Sequence, residues 1–281
     1  RDRRPRHSVG NSQAEGILRG TTRTEDLSYD QLSMAATHRT LGQTGYQPAD
    51  PPRVLVQLRA DIPYLTRFVL LRQLADTVVS EAFFGINDDL ESTATHTLQT
   101  TQRIIEILCE EGLSSNALST LNKAREYHRE LGIHDEHFRH AFLVLATSMV
   151  FWVQDFTDAR CSSEDKLQLG LFFSQMANAA GIFGISSDID TYQCQLDAYR
   201  RTHPLGDNPE GRAIVLAMNR SERRSPPSLI RWIGQQLIAS LVGRDVCKSL
   251  DLKHSGAIAK ALACYIWRWR GRLRRMRIVG R

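Results

Sequence analysis

Long hydrophobic runs are missing from this chain of 281 residues. A bilayer span needs about 18–20 consecutive apolar residues. The longest uncharged apolar stretch, AFLVLATSMVFWV over 141–153, is shorter than that and is interrupted by Thr147 and Ser148. It is expected to be a buried core helix. Paired cysteines are also lacking. Cys109, Cys161, Cys194, Cys247 and Cys264 are widely spaced, odd in number and form no CxxC, which argues against a disulfide framework or a zinc knuckle and favours a reducing compartment. The opening RDRRPRHSVGNSQ contains no apolar stretch of the kind a secretory signal needs, so an intracellular protein, cytoplasmic or membrane-associated, is expected. Alternating apolar and polar runs with paired turn signals do not persist, and no repeat of fixed period is visible, which removes the sheet and solenoid classes.

Acidic residues are absent from one end. Residues 266–281, IWRWRGRLRRMRIVGR, hold seven arginines, more than the whole formal charge of +5, so everything before them is net negative. Such a tail suits anionic lipid headgroups, with Trp267 and Trp269 at the interface, better than nucleic acid. It equally suits a basic helix end packed on its own domain.

What remains is globular in composition, 42% hydrophobic and 24% charged, which excludes a disordered or fibrous chain. Residues 1–52 mix Gly, Ser, Thr, Arg and Pro with weak periodicity, and an irregular N-terminal arm is expected there. From Pro63, YLTRFVLLRQLADTVVSEAFFG repeats apolar residues at helical spacing and stops at Gly85. LESTATHTLQTTQRIIEILCEEG and SSNALSTLNKAREYHRELG are two further helices, each ending at a glycine. Asp135 is a candidate N-cap for the helix that follows it, and SSED from Ser162 suits another helix start. Helices are also expected over about 188–201, 209–220, 227–243 and 255–275. The expectation is an all-α, single-domain helical bundle over 53–265, with the arm 1–52 before it and the basic tail 266–281 after it.

Two polar groups stand on a face that should turn inward. Leu121, Arg125 and His128 share one side of a helix with Leu118, Ala124 and Leu131. A buried guanidinium needs a carboxylate, carbonyls or an anionic ligand. The plain alternative is a core histidine bonded to backbone, with Arg125 reaching a surface acid. On the preceding helix Thr93, His96, Thr97 and Thr100 form a second polar stripe that runs on into Ile104 and Leu108. This is either a solvated face or the lining of a cavity.

These segments, taken in order with EDKLQLGLFFSQMANAAGIFGI after them, resemble the MpaB-type oxygenase and rubber oxygenase (latex-clearing protein) family over roughly residues 60–270. The resemblance implies an all-helical domain holding haem b. His128 matches the proximal histidine that ligates the iron, and Arg125 the arginine one turn earlier. The threonine-rich helix matches the distal helix, where rubber oxygenases carry Arg-x-x-Lys-Thr and this chain has Thr93, His96 and Thr97. The threonine is kept and both basic residues are replaced. The implied activity is oxygenase chemistry on a hydrophobic small molecule of isoprenoid or polyketide type, with dioxygen as co-substrate and cleavage of a C=C bond as the reaction. His96 and Thr97 are then the catalytic pair, and His128, Arg125 and Thr93 bind the cofactor. Two other classes stay open. One is a non-catalytic helical module at a membrane surface. The other is a class I terpene synthase-like enzyme using Asp88 and Asp89, although DDLE before a helix is more simply a cap.

Overall fold

The computed structural model describes residues 50–85, 89–156, 161–223, 237–253 and 256–279, all within the second of two units, Gln47–Arg281. The expected arm, apart from its last three residues, and most of the helix expected over 227–243 lie outside the described residues. The fold is all-α, with no strand among the described residues. Among the described residues its helices include α1 (Arg53–Val56), α2 (Ile62–Gln73), α3 (Thr77–Phe84), α4 (Leu90–Glu110), α5 (Ser115–Glu130), α6 (Asp135–Phe156), α7 (Ser163–Ala179), α8 (Tyr192–Thr202), α9 (Pro209–Arg223), α10 (Arg244–Ser249) and α11 (Ala257–Val279).

Side-chain caps set several of these starts. Asp89 accepts from the amides of Glu91 and Ser92 at the head of α4, so the DDLE acid is spent on a helix end; Asp88 lies outside the described residues. Ser114 caps α5 through the Ala117 amide, and Ser162 and Asp165 close a capping box on α7. Asp135 is not a cap. It begins α6, and its carboxylate turns back to Arg125 and Arg129.

The uncharged stretch 141–153 is the middle of α6, where all but Thr147 and Phe151 are buried. The helix packs against α1, α2, α5, α7, α8 and α11, which is why this stretch is apolar nearly all round rather than along one stripe. Trp152 is fully buried there against Phe68, Phe156 and Trp267.

The structure corrects the single long helix expected to run to Gly85. That segment breaks at Leu74–Asp76, between α2 and α3. Asp76 accepts from the amides of Val78 and Val79 and starts α3 anew. A buried break must satisfy the backbone groups it frees. Asn208, fully buried, donates to the Leu74 carbonyl, and the Ser249 hydroxyl donates to that of Ala75. The consequence is a carboxylate, 5% exposed, in the middle of the bundle.

The boundary expected at 265/266 falls inside α11, which runs through it without interruption. Trp267 is 4% exposed, with ring centroids 4.5 Å from Tyr64 and 5.4 Å from Trp152. Arg270 lies over both Tyr64 and Trp267, and Arg268 pairs with Asp155 at 3.1 Å. Trp267 is therefore a core anchor and not an interfacial residue, because that face of α11 closes on α6. Trp269, 53% exposed, faces outward.

Candidate functional site

Helices α4 and α5 form a hairpin around Gly112, which takes φ 63° in the turn. His96 precedes Gly112 by 16 residues and His128 follows it by 16, so equal rise along both helices brings them to the same height. Tyr127 stands between them, its ring centroid 6.4 Å from His96 and 6.3 Å from His128.

His128 is half-buried between Phe83 of α3 and Phe138 of α6, with ring centroids at 5.6 and 5.1 Å. Its Nδ1 lies 2.5 Å from the Ala124 carbonyl. A carbonyl only accepts, so Nδ1 carries the proton and Nε2 keeps its lone pair. Burial lowers the pKa of the ring, outweighing the opposing hydrogen bond to Ala124, so the imidazole is neutral at neutral pH.

Arg125 is not directed at the same space. It donates to the Ala180 carbonyl at 2.9 Å and to both oxygens of Asp135 at 3.2 Å. Its guanidinium lies so close over Gly181 that a Cβ there would fall 2.1 Å from Nη1. Gly181 has φ 67° and ends α7, so Arg125 serves as a clamp from α5 onto the exposed carbonyls at that helix end.

On α4, Thr93 and Thr97 are buried, whereas His96 is exposed. The Thr97 hydroxyl donates to the Thr93 carbonyl at 2.9 Å, and the Thr93 Oγ1 is buried without a hydrogen-bond partner. The structure thus gathers His96, Tyr127 and His128 along one side of the hairpin, places Thr93 and Thr97 inside, and leaves Arg125 apart.

A second cluster forms where the Asp76 break meets α6 and α8. The Tyr199 hydroxyl donates to Asp76 Oδ2 at 2.5 Å, and His140 Nδ1 lies 3.2 Å from the same oxygen. Burial by itself would raise the Asp76 carboxyl, but His140 and Tyr199 outweigh it and hold it below the ordinary carboxylate value. His140 is lowered, chiefly by burial, against the opposing pull of Asp76. Burial, then Asp76, drives the Tyr199 phenol well above its usual value. Tyr199 is stacked between the rings of His140 and His203, at 4.0 Å and 9° on one side and 4.4 Å and 17° on the other. Its oxygen also lies 2.5 Å from His137 Nδ1. Arg72, from α2, donates to Ser148 and Thr147 of α6 and is pushed down to about 10 by burial and by Arg200.

None of Asp76, His137, His140, Tyr199 or His203 stands out when the chain is scanned for motifs. The one local signal is EHFRH over 136–140, two histidines three residues apart at a helix start. The remaining members come from distant segments. Comparison of the chain with protein-family models, with curated proteins and with solved structures finds no match.

Proposed function

We propose that the chain is a haem b-dependent oxygenase acting on a hydrophobic small molecule of isoprenoid or polyketide type, with oxidative cleavage of a C=C bond as the reaction class. One observation carries the reading: His128 is neutral, with Nδ1 donating to the Ala124 carbonyl and Nε2 keeping its lone pair. A histidine that would hold haem iron through Nε2 needs that second contact to fix its tautomer and orientation. Two further features fit. Phe83 and Phe138 give the ring an apolar surround, and the facing helix carries a buried hydroxyl on Thr93 that has no partner. Arg125 fits less well, because Asp135 and Ala180 already engage its guanidinium; it acts here as a clamp that sets the α5 register.

Bound haem supplies the iron that activates dioxygen. The chain binds and orients around it. Thr93 is the hydroxyl free to donate, whereas Thr97 has committed its proton to the Thr93 carbonyl and can only accept. His96, exposed beside Tyr127, is open to proton exchange with solvent. Leu108 is buried and Ile104 half-buried further along α4, which suits an apolar substrate.

The test is a visible absorption spectrum of the purified chain, expressed with haem precursor supplied. A Soret band is expected, and it is lost or shifted in His128→Ala. A colourless wild-type chain sinks the reading.

A second reading, a non-catalytic module at an anionic membrane surface, is favoured by the outer side of α11. Ile258, Leu262, Tyr265 and Trp269 are 87, 52, 66 and 53% exposed and recur at helical spacing, with Lys260, Arg268 and Arg272 on the same helix. No helix among the described residues is long and apolar enough to cross a membrane, so this contact is peripheral.

A further inference from the structure

Glu136 and His137 open α6, and His203 follows the last residue of α8. The packing of these two helices brings the three side chains together. His137 Nε2 and His203 Nε2 lie 3.8 and 3.9 Å from the same Glu136 oxygen, and all three atoms fall within 4.8 Å of one another. The imidazoles meet nearly edge to face, 5.2 Å apart at 77°.

Proximity alone would mean little among surface residues, but the hydrogen bonds behind the two rings fix their protons. Tyr199 gives its only proton to Asp76, so its oxygen must accept from His137, and His137 Nδ1 carries the hydrogen. Thr202 gives its proton to the Tyr199 carbonyl at 2.8 Å, so it accepts from His203 Nδ1 at 2.9 Å. In its neutral form each ring therefore turns an Nε2 lone pair toward the same carboxylate oxygen. The His137 side chain is only 6% exposed. Neutral imidazole lone pairs and a carboxylate oxygen turned toward one another repel, and a shared cation relieves that repulsion.

We propose that Glu136, His137 and His203 bind one divalent transition ion of the zinc class, which clips the start of α6 to the end of α8. Two nitrogens and one oxygen select such ions over magnesium or calcium, which take oxygen alone. Bonds of about 2.0–2.2 Å place ligand atoms roughly 3.4 Å apart around a tetrahedral ion. The separations on the page close to that by small side-chain rotations, since Glu136 is 62% exposed and free to swing inward. Asp76–Tyr199–His137 then forms the outer support that orients a ligating histidine, extended by one phenol. Three protein ligands leave a fourth position to water.

The test uses the full chain, chelator-treated and titrated with zinc chloride near neutral pH by calorimetry, with zinc and iron content of untreated protein measured separately. One saturable zinc per chain is expected, together with a rise in Tm on zinc addition. Glu136→Gln and His203→Ala each weaken binding by roughly tenfold or more, and Tyr199→Phe, which touches no ligand atom, by about 10- to 100-fold. No saturable site in the wild type overturns the proposal. So does wild-type affinity retained in the two ligand variants. If His203→Ala fails to fold by circular dichroism, Glu136→Gln at its solvent-facing position decides alone. Zinc and iron are counted independently, so this outcome is separate from that of the haem reading.

Discussion

Replacing Asp76 by Asn changes one atom type and should reverse a whole chain of protons. In the wild type the Tyr199 hydroxyl donates to Asp76 Oδ2, and His137 donates through Nδ1 to the Tyr199 oxygen. An Asn amide nitrogen at the Oδ2 position donates to Tyr199 instead. Tyr199 must then give its proton to His137 Nδ1, and the His137 proton moves to Nε2, the atom assigned to the ion. The Asn oxygen still accepts from Val78 and Val79, so the α3 cap survives. The stability cost is therefore modest, about 1 kcal/mol, for exchanging a charge-assisted hydrogen bond for a neutral one. Metal affinity suffers more. Forcing the ligating tautomer back wastes one buried hydrogen bond, about 1–3 kcal/mol, or roughly 5- to 150-fold in affinity. Long-range nitrogen–proton NMR of the imidazoles reads the tautomer directly in metal-free protein, and urea denaturation reads the stability. A His137 ring that keeps its proton on Nδ1 in Asp76→Asn refutes the hydrogen-bond assignment, and with it the reason for expecting Nε2 to be bare.

Acid should unfold the chain in two stages. His128 and His140 both have pKa values lowered in the fold, with burial the leading cause, so the unfolded chain takes up protons first. Their contribution is complete above the unfolded value of about 6.5 and is lost as pH falls below it. Asp76, also lowered, adds stability above about 3.9 that disappears as pH falls through its folded value. Thermal melts across this range should show Tm falling from near neutrality downward, with a shallower slope in His140→Gln; an unchanged slope would show that His140 is not held neutral. On α11 the two tryptophans should separate cleanly. Trp267→Ala empties a core position and costs about 3–5 kcal/mol, whereas Trp269→Ala changes stability by about 0.5 kcal/mol or less. Co-sedimentation with phosphatidylserine vesicles should respond in the opposite sense, falling with Trp269→Ala. Binding equal to that of the wild type would remove the membrane reading.

Helices were legible in the sequence where one apolar face meets one partner. α4 and α5 follow their periodicity, and the glycines after them end them as expected. α6 was legible for another reason, because thirteen uncharged residues in a row leave little besides a buried helix. The break at Asp76 was not legible. LLRQLADTVVSEAFF keeps helical spacing through the interruption, and what stops the helix is a side chain capping its own downstream amides while Asn208 and Ser249 satisfy the carbonyls left behind. Those partners lie more than 130 residues away, beyond the reach of any local pattern. The same holds for the sites. His128 could be picked out because its helix wheel places it among leucines. Arg125 drew notice for the same reason, yet its partners, Asp135 and Ala180, come from outside its helix. His203 sits in an unremarkable YRRTHP. Its significance comes from the stacking of α8 side chains against α6.

The α2–α3 break also links the two sites. Asp76 holds the first turn of α3 with one oxygen and the Tyr199–His137 chain with the other. Phe83, at the far end of the same helix, forms one wall of the His128 surround. Removing the carboxylate outright should therefore disturb both places, whereas Asn should disturb one. Asp76→Ala loses the cap as well as the charge-assisted bond, together about 3 kcal/mol, and frees α3 to shift Phe83. Asp76→Asn keeps the cap and so keeps Phe83. The contrast is readable in the His128 ring itself. Its Nδ1 proton, held by Ala124, should exchange with solvent faster in Asp76→Ala than in the wild type and at the wild-type rate in Asp76→Asn. If both variants leave His128 alike, α3 does not transmit the loss of its cap, and the two sites are independent features of one bundle.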